Sequence, residues 1–146
     1  MPDWNPAGRR VLLDTHIWLW LVEGNAKINR SRGWREIQKA RERKGLWISV
    51  ISIWELALLA YKKRITLSMD CAAWVREAMQ AAGLELQLLT PDIAILSTEL
   101  GDEFHADPAD RFLVATALVL DATLATADQR ILDFAKKEKK LRVHPI

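Results

Sequence analysis

A chain of 146 residues, half of them apolar, fits one domain that can bury roughly two-thirds of its unfolded surface and needs no covalent staples. The single cysteine, Cys71, excludes an internal disulfide and makes a thiolate metal site implausible. Net charge is only +2, Met1 to Arg9 contains no apolar signal core, and the longest apolar runs fall short of a membrane span, so a soluble, cytoplasmic protein with no membrane partner is expected.

In chain order, strand and helix signals alternate without repeats or a linker. Val11-Leu12-Leu13 is an apolar run between Arg10 and Asp14, which reads as a central strand buried on both faces. A short helix is expected over about His16 to Val22, closed by Glu23-Gly24-Asn25, and a basic helix over about Asn29 to Arg43. Leu46 to Val50 reads as the second strand. Ser52 precedes a helical pattern from Ile53 to Lys63, with Leu56, Leu59 and Ala60 at core spacing. A further helix spans about Met69 to Ala82 and stops at Gly83, and Leu84 to Leu89 supplies the third strand. Thr90-Pro91, a cap followed by Pro at the first helical position, opens a helix running to Leu100. After a loop at His105 to Asp107, Pro108 begins a helix to Leu120, and Thr123 to Thr126 is the fourth strand. A short helix from Asp128 precedes Leu141 to His144, an edge strand closed by Pro145. Such alternation implies an α/β domain with a parallel sheet, because parallel strands need crossovers and helices are the usual ones.

Four acids fall at corresponding places in that scheme. Asp14 ends strand one, Glu55 is three residues after Ser52, Asp110 is three after Asp107, and Asp128 lies just past strand four. Each is near a helix start and the carboxyl edge of the sheet, where ligands of open α/β sheets bind. Taken singly, they read as caps: Ser52-x-x-Glu55 has the form of a capping box, and Asp107-Pro108-Ala109-Asp110 is a similar capped start. Four carboxylates converging from four segments are different, because like charges so close stay ionised only with a compensating cation. Oxygen ligands without a Cys or His cluster point to Mg²⁺ or Mn²⁺, which also accept phosphate oxygens. Charge is also unevenly placed. Lys27 to Lys44, which includes Arg35 and Lys39, and the tail from Lys136 to Arg142 are basic. Each run alone reads as a solvated helical face; beside the acids they suggest a polyanionic substrate at the rim of a metal site.

Leu12-Leu13-Asp14-Thr15-His16, Ser52-x-x-Glu55-Leu56, Asp107-Pro108-Ala109-Asp110-Arg111-Phe112-Leu113-Val114-Ala115-Thr116-Ala117 and Leu124-Ala125-Thr126-Ala127-Asp128 together resemble the PIN-domain nucleases, most closely the VapC-type toxins of bacterial toxin-antitoxin pairs. Each motif alone is weak; the ordered set, from about Arg10 to Ile146, is specific. The resemblance implies a three-layer fold whose sheet has the order 3-2-1-4-5, in a single domain over residues 1–146 with Met1 to Arg9 as an extension. It also implies a Mg²⁺ site formed by Asp14, Glu55 and Asp110 and supported by Asp128, an RNA substrate, a cognate antitoxin and a homodimer.

Other residues compete for roles. Thr15 and Thr126 have hydroxyls placed to orient acids or a bound water, or to serve as local caps. Arg111 either holds a phosphate or bridges a neighbouring acid. His16 reads as helix packing in preference to a catalytic base, while His105 and His144 pair with nothing evident. Trp18, Trp20 and Trp54 read first as core residues, although Trp is also enriched at interfaces. The expectation is a metal-dependent endoribonuclease whose basic residues, Arg35 and Lys39 among them, hold the RNA backbone. The alternative is a non-catalytic α/β domain that binds RNA or protein and whose acids only cap helices. A receiver-like signalling domain ranks lower, because the first strand is not followed by an acidic pair and no late Lys is placed for phosphoryl chemistry.

Overall fold

The computed structural model describes residues 10–24, 31–104 and 107–146. Strand β1 (Val11–Leu13) sets the layers: successive side chains point to opposite faces, so Val11 and Leu13 enter one core while Leu12 enters another. All three are buried, as a central strand requires. Around it stand β2 (Leu46–Ser49), β3 (Glu85–Gln87), β4 (Thr123–Thr126) and β5 (Arg142–Pro145). The sheet is wholly parallel in the order β3-β2-β1-β4-β5, with Val11 opposite Leu46 and Leu12 opposite Leu124.

Seven helices among the described residues cover the two faces. On one side, α1 (Thr15–Glu23), α2 (Arg32–Glu42), α3 (Val50–Tyr61) and α4 (Cys71–Ala82) pack Ile17, Ile37, Leu56 and Trp74 against the sheet. On the other, α6 (Pro108–Leu120) and α7 (Gln129–Lys137) contribute Leu113, Val114 and Ile131, while α5 (Pro91–Thr98) packs on α6. None of these helices is long and apolar enough to cross a membrane. Near the sheet's last strand, α2 approaches so closely that a Cβ at Gly33 would lie 2.9 Å from Pro145 O.

The elements match the expected alternation, with informative shifts at their ends. Strand two stops at Ser49, whose hydroxyl accepts from Ile51 N, so α3 begins at Val50 and Ser52 lies inside the helix. The expected capping box at Ser52-x-x-Glu55 is therefore overturned: Glu55 is beyond the first turn and is not held as a cap. Helix α4 starts at Cys71, after Asp70 accepts from Ala73 N, and the third strand is shorter than Leu84 to Leu89. Of the three Trp read as core, Trp18 is buried edge-on to Trp74, Trp20 is partly buried, and Trp54 is 54% exposed, which corrects the last. The extension Met1 to Arg9 and His105 lie outside the described residues.

Because β1 is buried from both sides, truncation there leaves a cavity that neighbouring strands cannot close. Leu12→Ala is expected to cost about 2–5 kcal/mol, measured as a lower midpoint in urea denaturation with an unchanged slope.

A candidate acidic catalytic groove

Strands β1 and β4 end side by side, and their last residues build the centre of the site. Asp14 leaves β1 in extended backbone geometry and caps α1, its Oδ1 accepting from Thr15 N at 2.7 Å. Its other oxygen, Oδ2, accepts from the Thr126 hydroxyl at 2.7 Å, and that hydroxyl accepts in turn from Asp128 N at 3.0 Å. Thr126, wholly buried at the end of β4, thus ties the acid of one strand to the acid beyond the next. Asp14 both caps α1 and lines the groove at the end of β1.

Helix α3 delivers the third acid. The Thr15 hydroxyl lies 2.7 Å from Glu55 Oε1 and 2.9 Å from the buried Ser52 hydroxyl. A hydroxyl has one hydrogen, so Thr15 donates to Glu55 and Ser52 supplies the other bond. Ser52 is a residue that sequence reasoning assigned to capping; its spacing of one turn from Glu55 was the available signal.

The fourth acid comes from α6. Asp110 is buried in the first turn, behind Asp107, which occupies the cap position without making a side-chain cap bond. Asp107 instead lines the groove with Asp14, Glu55, Asp110, Asp128, His16 and Arg130, in a cavity of about 300 Å³. His16 is exposed there, not packed as expected. Arg130 was missed altogether: its Nη2 lies 3.2 Å from Asp110 Oδ2 and 3.1 Å from Asp128 Oδ2. The signal was its place two residues after the last acid, at the start of α7.

Two basic expectations resolve differently. Arg111 turns away from the acids, donating to Ser97 O at 3.0 Å and Phe104 O at 2.8 Å, so it clamps the α5–α6 connection and the expected phosphate or acid contact is corrected. Arg35 and Lys39 are exposed on α2, where Lys39 pairs with Glu36 at 3.6 Å, and neither lines the groove.

Electrostatics match this crowding. Burial pushes the Asp14 carboxyl above the usual carboxylate range against the pull of Thr126 and Thr15 N, and burial likewise raises Glu55. Asp110 is pushed up to about 7, first by burial and then by the charges of Asp14, Asp128 and Glu55. Burial opposes ionisation of Asp128 too, but the Arg130 side chain and backbone N–H outweigh it and hold that carboxyl low. Among the described residues no three acidic, imidazole or thiol groups are gathered tightly enough to form a ready metal cage. Asp14 is turned to Thr126, Glu55 to Thr15, and Asp110 and Asp128 to the shared Arg130. The donor set, oxygen only with excess negative charge, still suits a hard divalent ion that takes one or two carboxylates and keeps its waters.

A pH dependence follows. Asp110 keeps its proton to about pH 7 when folded, whereas its ordinary value is 3.8, so the folded state binds more protons between those limits and stability falls as pH rises through them. In chelator, Asp110→Asn should therefore be more stable than wild type at pH 8 by on the order of 1 kcal/mol, a gain that closes as pH falls toward about 4. Thermal melts of both proteins across that range check it.

Comparison with known proteins places the chain. The sequence model of the PIN domain matches residues 11–137. The chain is 32% identical over 121 residues to Ribonuclease VapC22 of Mycobacterium tuberculosis (strain ATCC 25618 / H37Rv), covering 83% of this chain and 88% of the relative. Similar solved structures include VapBC2 from Rickettsia felis bound to a promoter DNA fragment, with TM-score 0.69 and 16% identity over 92% of this chain and 97% of that one. DNA-bound VapBC from Salmonella typhimurium follows, with TM-score 0.66 and 17% identity over 94% and 98%. A toxin-antitoxin complex from Klebsiella pneumoniae gives TM-score 0.55 and 25% identity over 82% and 87%. With the family model spanning most of its length, a relative nearly a third identical, and the 3-2-1-4-5 sheet in place, the chain belongs to the PIN-domain family.

Proposed function

We propose that this protein is a divalent-metal-dependent endoribonuclease and the toxin of a toxin-antitoxin pair. The observation that carries the reading is the convergence of Asp14, Glu55, Asp110 and Asp128, from four separate segments, on one groove at the carboxyl edge of the sheet. Helix caps alone give no reason for three of them to resist ionisation together. The resemblance to a protein named a ribonuclease, and to complexes named VapBC, supports the same reading.

Asp14, Glu55 and Asp110 would hold Mg²⁺ or Mn²⁺, with Asp128 in support. When bound, the ion supplies charge neutralisation at the phosphate and acidifies coordinated water. The chain's own residues do the rest. Thr126 and Thr15 fix the orientation of Asp14 and Glu55 as positioning residues. Arg130, half exposed at the groove, is placed to pair with a phosphate once Asp110 and Asp128 are otherwise neutralised. Arg35 and Lys39 extend the cationic surface and hold backbone without reading bases. A structured RNA with an exposed single-stranded loop, of which transfer RNA is one class, suits a groove of about 300 Å³, because unpaired bases in a loop can be splayed around it. The remaining parts of the reading are a cytoplasmic site of action, a small antitoxin partner that restrains cleavage, and a homodimeric toxin.

With purified protein and total RNA, EDTA should stop cleavage and Mn²⁺ or Mg²⁺ restore it. Water attack that breaks the bond from phosphorus to the 3′ oxygen leaves 5′-phosphate and 3′-hydroxyl ends; cleavage that persists in EDTA and leaves 2′,3′-cyclic phosphates would refute the mechanism. Asp14→Asn should remove turnover while leaving RNA binding within about twofold, measured by fluorescence anisotropy.

Charge reversal at Arg35 or Lys39 should weaken binding of all RNA sequences alike. It should also lower the slope of log affinity against log salt by roughly one or two, with cleavage positions unchanged.

A further inference from the structure

A second cavity, of about 370 Å³, lies beside the acidic groove between the α5–α6 connection and α7. Its apolar wall is Leu100, Phe104 and Phe134; its rim carries Arg130 and Lys137 together with the acids Glu103, Asp133 and Glu138. Arg130 lines both this cavity and the groove, so the two are neighbours.

The aromatic wall is braced from behind. Arg111 lies over the Phe104 ring at 5.7 Å, and Phe104 stacks on Phe134 with centroids 4.4 Å apart and planes 21° from parallel. Phe104 is buried, whereas Phe134 is only partly so, which makes it the outer ring of the stack. The rim supplies cations at both ends: Arg130 toward the acids and Lys137 away from them. Lys137 is exposed and pairs loosely with exposed Glu103 at 3.7 Å, a contact worth little and readily exchanged for a phosphate. Asp133 adds an acceptor, which suits a base bearing an amino group. An apolar helix would need a groove several turns long; a compact cavity with a braced ring and a charged rim fits one planar base.

We propose that this cavity is a subsite for the base of a nucleotide next to the scissile phosphate, which adds to the Arg111–Phe104–Phe134 stack while Arg130 and Lys137 face its flanking phosphates. The proposal rests on the ribonuclease reading of the groove and adds to it a position at which sequence preference arises.

The test uses the full chain and short synthetic RNAs spanning a site that the wild-type protein cuts in Mn²⁺, each with one abasic residue near that site. In wild type, base removal at one flanking position should lower kcat/KM about tenfold or more. In Phe134→Leu, which keeps the apolar packing but loses the ring face, intact RNA should be cut correspondingly more slowly and base removal at that position should have no further effect. Leu100→Trp, which fills the cavity, should slow cleavage of the intact RNA far more than of the abasic one. Equal sensitivity to base removal in wild type and both variants, or insensitivity at every flanking position in wild type, overturns the subsite while leaving the nuclease intact. Failure of the wild type to cut any RNA overturns the nuclease reading and the subsite with it.

Discussion

Mutual repulsion of carboxylates at one edge of a parallel sheet is the constraint on which this structure turns. Asp14, Glu55, Asp110 and Asp128 reach a common groove because β1 and β4 are neighbours and because α3 and α6 begin beside them. Burial alone would expel such charges. The fold retains them by giving each a donor: Thr126 for Asp14, Thr15 for Glu55, and Arg130 shared by Asp110 and Asp128. Asp110, facing the charges of Asp14, Asp128 and Glu55 as well as its own burial, is pushed up to about 7.

Helix geometry reinforces that arrangement. In a parallel sheet every crossover helix that follows a strand begins at the carboxyl edge, so α1 and α7 turn their N-termini toward the acids. Partial positive charge there favours carboxylates. Asp14 and Asp128 exploit this directly as caps, and Asp107 takes the cap position of α6 while leaving its side chain to the groove. Capping and lining the groove are thus compatible uses of one side chain, since a cap bond takes only one of the lone pairs that a carboxylate's two oxygens offer.

The two arginines near the site divide their work by what surrounds them. Arg111 follows Asp110 in sequence but points the opposite way round the helix, toward carbonyls that the α5–α6 connection leaves without helical partners. Arg130 sits 20 residues from Asp110 in the chain yet touches it, because α7 starts where β4 ends. That placement makes Arg130 common to the groove and the neighbouring aromatic cavity.

The alternation of apolar runs with helical patterns was sufficient to determine the parallel α/β class, and the ordered acid motifs pointed to the family and the sheet order. The class is a property of local period along the chain; the sheet order is what the resemblance carried by those motifs implies. Which hydroxyl holds which acid was decided only by tertiary structure, because Thr15, Ser52 and Glu55 meet across 37 and 40 residues and Thr126 meets Asp14 across 112. The capping box at Ser52 read correctly as a pattern and wrongly as a structure: Ser49 ends its strand early enough to cap the helix itself, freeing Ser52 and Glu55 for the site. Arg111 and Arg130 show the same limit, since sequence proximity to an acid says nothing of which side of a helix a side chain leaves from, and only packing fixes that direction.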